Sequence, residues 1–304
     1  MIEKLQRQGV NPRLLKEVED YVSQQALSPE DRSRLIEPPF TYLGKTVWEK
    51  AIAALLSGNN LLLYGPKATG KNVLAENLAY LFQRPSWNIS FHINTDSNSL
   101  IGMDTFKDGR VQFREGPIAE CARHGGFGIL DEINMARNDA VAVLHAVLDY
   151  RRLIDLPGYD RISLRPQTRF IATMNYGYMG TRDLNEALTS RFLVIHVPPI
   201  QEMELRGLLR SEFPDLKEEA VSQFSALFAD LQKKSDHAEI STKPVDLRGL
   251  LASIKLIRQG LPLLEALEMG IIYKSFDRFE QDIIRDLILV RFDPAMTDRE
   301  LFDR

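Results

Sequence analysis

The stretch that decides the fold is Leu61-Leu62-Leu63-Tyr64-Gly65-Pro66-Lys67-Ala68-Thr69-Gly70-Lys71-Asn72. It is typical of an apolar strand followed by a glycine loop and the start of a helix. The spacing from Gly65 to Lys71 is G-x-x-x-x-G-K, the pattern of a loop that cradles nucleotide phosphates. Glycines let backbone N–H groups turn toward the phosphates, and the helix N-terminus and a lysine add positive charge. We therefore predict a nucleoside triphosphate site over residues 65–72.

The last position of this loop departs from the pattern. The pattern ends in Ser or Thr, whose hydroxyl binds Mg²⁺, whereas this chain has Asn72. An amide oxygen is a possible Mg²⁺ ligand, but Asn is bulkier than Ser and must hold its amide in the correct orientation. Two outcomes stay open: either Asn72 lowers Mg²⁺ affinity or turnover, or it has little effect. In both, nucleotide binding survives.

A second apolar run, Phe127-Gly128-Ile129-Leu130, ends in two carboxylates, Asp131 and Glu132. Carboxylates at the C-terminal end of a strand face the ligand crevice of an open α/β sheet. We expect Asp131 to hold Mg²⁺ and Glu132 to polarise the attacking water. An apolar run followed by Asp-Glu is a weak signal alone, and its place behind a phosphate loop strengthens it.

Two further side chains follow in the order that such a site needs. Asn175 ends the next predicted strand, where its amide can orient a water molecule, although an Asn after a strand is more often a turn residue. Arg191 ends a helix and can reach a phosphate on a neighbouring subunit, as arginine fingers do. The other interpretation is an arginine that favours the helix dipole, and the residues alone support that one.

Composition limits the class of protein. The chain has 304 residues, a formal net charge of −4 and a single cysteine, Cys121. The charge argues against nucleic acid as the main partner, without excluding a local basic pore. A lone cysteine excludes an internal disulfide framework and indicates the cytoplasm, and Cys121 is more often a small apolar residue than a nucleophile. We expect no membrane span and no signal peptide.

The predicted organisation is a helical segment over residues 1–40, an α/β nucleotide-binding core over 41–199 and a helical domain over 200–304. Continuous apolar strands that alternate with helices indicate a three-layer αβα arrangement around a parallel sheet. Turn signals predict two inserted β-hairpins, at 104–113 and 150–168. The predicted strands are 61–64, 89–93, 127–131, 169–174 and 192–197, and the predicted helices of the core lie near 46–57, 71–82, 116–123, 138–149 and 183–190.

Together these stretches resemble the MoxR-type AAA+ ATPases and their relatives with a dynein-related AAA+ module, which include the CbbQ and NorQ cofactor-insertion ATPases. The resemblance runs from about residue 42 to the C-terminus. It is carried by the phosphate loop, the two hairpins, the run Leu130-Asp131-Glu132-Ile133-Asn134, the strand end at Asn175, and Leu184-Asn185-Glu186-Ala187-Leu188 before Arg191. Besides Asn72, the sequence departs from its relatives at Ala68, where they usually have Gly.

The resemblance implies an ATP and Mg²⁺ site shared between the subunits of a homo-oligomeric, usually hexameric, ring. It makes Asn175 the sensor 1 residue, Arg191 the arginine finger and Arg248 the sensor 2 residue, with Lys243 as the second choice. It also implies a remodelling chaperone for protein complexes or metal-cofactor insertion, with a von Willebrand A domain partner. The alternatives are a nucleotide-gated scaffold with little hydrolysis because of Asn72, or a nucleic-acid-linked NTPase.

Overall fold

The computed structural model describes residues 1–25, 27–136, 138–156, 158–176 and 184–303, apart from the side chains of Lys107 and Asn138. The chain divides into two compact units, Met1–Pro198 and Pro199–Arg304. The first unit therefore includes the N-terminal helices, for which the sequence predicts a separate segment over residues 1–40.

The centre of the first unit is a parallel five-stranded sheet. In chain order its strands are β1 (Leu61–Gly65), β2 (Ser86–Ser90), β5 (Phe127–Asp131), β8 (Arg169–Asn175) and β9 (Leu193–His196). Their order across the sheet is β2-β5-β8-β1-β9, so β1 lies between β8 and β9. The strand that leads into the phosphate loop is thus flanked on both sides, with the end of β8 directly beside it.

Helices cover both faces of this sheet, as the strand sequences require. Leu61 and Leu63 of β1 pack in one core cluster with helices from the N-terminal part, and Leu62 packs in a second cluster on the opposite face. The predicted three-layer α/β fold is confirmed. The helices of this unit are α1 (Ile2–Arg7), α2 (Pro12–Ser23), α3 (Pro29–Arg32), α4 (Lys45–Leu56), α5 (Lys71–Leu81), α6 (Ser97–Ile101), α7 (Pro117–His124), α8 (Asn138–Val147) and α9 (Glu186–Thr189), and a 3₁₀ turn spans Ile133–Met135.

The predicted hairpins are present as two separate antiparallel pairs. The first consists of β3 (Gly102–Lys107) and β4 (Arg110–Glu115) and is six residues long on each side. The second consists of β6 (Leu153–Ile154) and β7 (Ile162–Ser163), only two residues each. Pro157 of the predicted turn in this second hairpin lies outside the described residues, as does the start of the helix predicted at 183–190.

Strand β2 differs from its prediction at 89–93. It spans Ser86–Ser90, with Trp87 and Ile89 buried and Asn88 exposed between them. The reason is its position at the sheet edge, where one side of a strand faces solvent and the sequence alternates instead of forming one apolar run. Ile93, which the prediction placed in the strand, is 66% exposed.

The segment before the phosphate loop is fixed to helix α5 by a buried amide. Asn77 is fully buried; its Oδ1 accepts from the backbone N of Tyr42 at 2.8 Å and its Nδ2 donates to the carbonyl of Phe40 at 2.8 Å. The indole N–H of Trp48 donates to the carbonyl of Tyr42 at 2.9 Å. Buried polar groups need such partners, so these bonds specify the path of the chain here.

The second unit is helical around its own core. Its helices are α10 (Glu202–Glu212), α11 (Glu218–Asp236), α12 (Leu247–Arg258), α13 (Leu263–Gly270), α14 (Arg278–Arg291) and α15 (Asp298–Leu301), and a 3₁₀ turn spans Ile272–Lys274. In the described part of the chain, no helix is long and apolar enough to cross a membrane.

Candidate nucleotide site

The phosphate loop joins β1 to α5, as its sequence predicts. Gly65 ends the strand, Gly70 has a φ of +82° just before the helix, and Lys71 is the first helical residue. Gly65 is required by packing: a Cβ there would lie 2.2 Å from the carbonyl oxygen of Val197, which follows β9. The first glycine of the motif therefore allows the sheet to close tightly behind the loop.

Ala68 has a φ of +61°, in the left-handed region. An L-residue with a Cβ is disfavoured there by roughly 1–2 kcal/mol, whereas glycine adopts it freely. This conformation gives a physical reason why a glycine would suit this position. The chain keeps the loop conformation despite that cost.

The ammonium group of Lys71 is held inside the loop. Its side chain is 6% exposed, and Nζ donates to the carbonyl oxygens of Gly65 at 3.0 Å and Pro66 at 2.6 Å. Thr69 supports the same turn, because its hydroxyl donates to the carbonyl of Pro66 at 3.1 Å. Burial lowers the pKa of Lys71 from 10.5 to about 8, although the negative charges of Asp131 and Glu132 act to raise it.

The two carboxylates at the end of β5 are joined to the end of β8 by hydrogen bonds. The Thr173 hydroxyl donates to Oδ1 of Asp131 at 2.5 Å and accepts from the backbone N–H of Glu132 at 3.2 Å. The amide of Asn175 donates to Oε1 of Glu132 at 3.1 Å. The structure therefore brings Asp131, Glu132 and Asn175 together. Thr173, for which the sequence predicts no role, connects the end of β8 to Asp131 and Glu132.

The backbone around Glu132 is itself unusual. Glu132 has a φ of +54°, which is uncommon for a residue with a side chain and is often found at functional sites. The 3₁₀ turn that follows it is secured by Asn134, a buried residue whose Nδ2 donates to the carbonyl of Asn175 at 3.3 Å. These contacts hold the Glu132 carboxylate beyond the sheet, next to the strand end that carries Asn175.

The residues present fit a magnesium ion bound with a nucleotide. Mg²⁺ is held in such sites by one or two protein oxygens together with substrate phosphates. Asn72 is at the start of α5, and Glu76 lies one helical turn further along it. Burial, and then the charge of Asp131, raise the pKa of Glu76, so the Asp131 carboxylate acts on this part of α5. The described part of the chain contains no group of three or more His, Cys, Asp or Glu side chains suited to hold a metal by themselves.

Arg191 follows α9 and precedes β9. Its Nη1 donates to the carbonyl of Ala187, and its Nη2 lies 3.8 Å from Oδ2 of Asp149. Both contacts are with residues outside the phosphate loop. The hydrogen bond to Ala187 is made to the last turn of α9. This contact supports the alternative interpretation, in which Arg191 favours the dipole of that helix.

Arg248 and Lys243 belong to the second unit. Arg248 is the second residue of α12, is exposed, and donates its backbone N–H to Oδ1 of the N-cap residue Asp246 at 3.1 Å. The Nζ of Lys243 lies 5.7 Å from the ring centroid of Phe276. The position of Arg248 at the opening of this helix is as expected, and its role as sensor 2 stays a prediction.

Comparison with known proteins identifies the class. Residues 60–192 match the family model described as AAA domain (dynein-related subfamily). The chain is 32% identical over 276 residues to the uncharacterized protein YojN of Bacillus subtilis. The alignment covers 89% of this chain and 90% of YojN. It is 33% identical over 253 residues to an uncharacterized protein of Staphylococcus aureus strain NCTC 8325, covering 81% and 96%.

Among solved structures, a Thermotoga maritima RuvB mutant aligns with a TM-score of 0.50 and 17% identity, over 82% of this chain and 71% of that one. At this identity the similarity shows the fold alone. The phosphate loop, the strand order and these matches define an AAA+ ATPase. The chain belongs to the family that includes YojN, and its AAA domain is of the dynein-related subfamily. The narrower MoxR-type membership stays a prediction.

The buried ammonium of Lys71 leads to a testable proton linkage. Phosphate charge favours the protonated lysine, so nucleotide binding raises the pKa of Lys71 from about 8. We expect binding of a non-hydrolysable ATP analogue to take up a fraction of a proton at pH 8.5 and close to none at pH 7. Calorimetric titration in buffers of different ionisation enthalpy measures this.

Two variants control that experiment. Lys71→Arg keeps a cation that does not titrate, so its residual binding should take up no proton at pH 8.5. Glu132→Gln removes a charge that raises the pKa of Lys71, so its proton uptake should be at least that of the wild type. Equal uptake by the wild type and Lys71→Arg would assign the proton to another group.

Proposed function

We propose that this protein is a MoxR-type AAA+ ATPase that hydrolyses ATP at sites shared between the subunits of a homo-oligomeric, hexameric ring. The observation that carries the proposal is the hydrogen-bond network that joins Asp131, Glu132, Thr173 and Asn175 beside the buried Lys71. A chain that only bound a nucleotide would need the phosphate loop but not a glutamate held by an amide on the next strand.

Each residue has a chemical role in this proposal. Residues 65–71 bind the phosphates of ATP through backbone N–H groups and the Lys71 ammonium. Asn72 and Asp131 hold Mg²⁺, which neutralises phosphate charge when bound. Glu132 accepts the proton of the attacking water, and Asn175 keeps its carboxylate in place. Arg191 acts on the nucleotide of the neighbouring subunit, and Arg248 couples hydrolysis to movement of the helical unit.

The client of this proposed machine is a protein complex, engaged through a von Willebrand A domain partner. The first hairpin supports an interaction of this kind. Phe106 and Val111 are paired across its strands and are 77% and 62% exposed, although both are apolar. Exposed apolar pairs on an inserted hairpin favour contact with another protein. Metal-cofactor insertion or complex maturation is the outcome that the resemblance suggests.

Hydrolysis depends on Glu132 in this proposal. Glu132→Gln keeps the hydrogen-bonding shape but removes the base, so we expect phosphate release to fall by about 10²–10⁴-fold while ATP binding persists. Phosphate release and fluorescent-nucleotide binding measure the two effects. The exposed Glu37→Gln is the matched control and should match the wild type. Absence of turnover by the wild type with either Mg²⁺ or Mn²⁺ would contradict the enzymatic part.

Asn72 favours a second candidate function, a nucleotide-gated scaffold whose ring assembles with ATP and hydrolyses little. Asn72→Thr separates the two because it restores the hydroxyl ligand of the motif. On the enzymatic proposal, phosphate release at saturating Mg²⁺ changes by less than about threefold, since the Asn72 amide oxygen already serves the metal. A large gain in rate, with ring assembly unchanged by size-exclusion chromatography, would favour the scaffold.

The proposed partner is tested with a ring that binds ATP but cannot hydrolyse it. We expect Glu132→Gln protein immobilised with ATP to retain a protein with a von Willebrand A domain, identified by mass spectrometry. Adding Phe106→Asp and Val111→Asp should reduce the amount retained. Val290→Asp should not, because Val290 is an apolar position on α14 that is 84% exposed but lies outside the hairpin. Retention of proteins that lack this domain, or retention unaffected by the hairpin changes, would contradict this part of the proposal.

A further inference from the structure

Asp149 lies between two arginines in the turn that follows α8. Its Oδ1 accepts from the backbone N–H of Arg151 at 3.1 Å and from Nε of Arg151 at 2.8 Å. Its Oδ2 lies 3.8 Å from Nη2 of Arg191. Hydrogen bonds from Arg151 are the first cause that lowers the pKa of Asp149, and the charge of Arg191 acts in the same direction. The carboxylate is therefore ionised, and its two oxygens face two different arginines.

Arg191 is held from two sides by these contacts. Nη1 donates to the carbonyl of Ala187, on the preceding helix α9, and Nη2 faces Asp149, in the turn after α8. The Arg191 side chain is 27% exposed and that of Asp149 is 14% exposed, so the pair is partly shielded from water. A guanidinium has five N–H donors in a fixed plane, so two protein contacts orient the group and leave other donors for a phosphate.

The charge of Arg191 also acts on a histidine of α8. His145 lies one helical turn before Asp149, and its pKa is lowered by burial and by the charge of Arg191. The charge of Arg191 therefore acts on the last turn of α8 as well as on Asp149. Arg191 is thus contacted by the turn after α8 and by Ala187 of the preceding helix α9.

The segment that contains Asp149 and Arg151 leads directly into the second hairpin, and the second hairpin contacts the first. Arg151 lies two residues before β6 (Leu153–Ile154). In the loop of this hairpin, Tyr159 donates its hydroxyl to Oδ1 of Asp104 at 2.5 Å, and its ring centroid lies 5.1 Å from that of Phe113. Asp104 and Phe113 are paired across the first hairpin. Continuous contacts therefore lead from the first hairpin, through the second, to the turn that holds Arg191.

We propose that Asp149 is a positioning residue for Arg191: it orients the guanidinium for the nucleotide of the neighbouring subunit. This inference rests on the proposed role of Arg191 as an arginine finger. Asp149 itself does not touch the nucleotide. Its loss therefore slows the chemical step and leaves ATP binding, which belongs to the other side of the interface, unchanged.

The first test compares single variants as assembled rings. Asp149→Asn keeps the size but removes the charge, and we expect kcat for ATP to fall about tenfold with KM changed by less than about twofold. Asp149→Glu restores the charge and should recover part of the rate. Asp155→Asn is the matched control. Asp155 pairs with Arg161 at 2.7 Å in the second hairpin, but its side chain is 71% exposed and therefore less shielded from water than that of Asp149. Thermal unfolding shows whether each variant is folded.

The second test uses mixed rings to find the side of the interface on which Asp149 acts. Lys71→Ala subunits cannot use ATP but still present an intact Arg191. Mixed with Asp149→Asn subunits, they should supply a well-placed arginine to the competent nucleotide sites and raise turnover severalfold per competent site. Arg191→Ala subunits mixed with Asp149→Asn subunits should not raise turnover, because neither kind of subunit then provides a positioned arginine.

The outcomes separate this inference from the proposed function. If Arg191→Ala retains full turnover, the finger role fails, and the positioning role of Asp149 fails with it. If Arg191→Ala is rescued by Lys71→Ala subunits but Asp149→Asn is not, the finger role stands and Asp149 acts elsewhere. Wild-type kinetics for a folded Asp149→Asn ring, or a change confined to KM, would also overturn the inference.

Discussion

The hydroxyl of Thr173 makes the contact on which the candidate site depends. Strands β5 and β8 are neighbours, but pairing alone only aligns their backbones. By donating to Asp131 and accepting from the N–H of Glu132, one side chain orients the Asp131 carboxylate and secures the backbone of Glu132 beside β8. The left-handed backbone of Glu132 then turns its side chain to the amide of Asn175. Without the Thr173 hydroxyl, the Asp131 carboxylate and the Glu132 backbone would both lose a hydrogen bond to β8.

The elements around this contact were predictable where burial dictates sequence. Strands β1, β5 and β8 are covered on both faces, so each is a continuous apolar run that ends in the residues of the site. The edge strand β2 was misplaced because its alternation of Trp87 and Ile89 with polar residues carries a weaker signal. Helix α6 was not predicted, since its five residues begin with a polar capping box between Asp96 and Ser99.

The site residues divide in a similar way. Lys71, Asp131, Glu132 and Asn175 belong to local patterns, so their order along the chain was enough to select them. Thr173 differs, because a threonine inside an apolar strand is common and only the register of β5 and β8 shows that it faces the carboxylates. The sequence does not predict the role of Asp149 either. Asp149 lies more than forty residues from Arg191, and their pairing depends on how α8 and α9 pack.

The left-handed backbone at Ala68 has a consequence for how the loop holds its shape. The methyl group raises the energy of this conformation in the folded chain, but it also narrows the range of conformations that the unfolded chain can adopt. The two effects oppose each other, and neither depends on a contact with a ligand. An alanine here gives a loop with fewer alternative shapes than a glycine, at some cost in folding free energy. Conformational restriction, and not added binding groups, is therefore what this departure contributes to the loop.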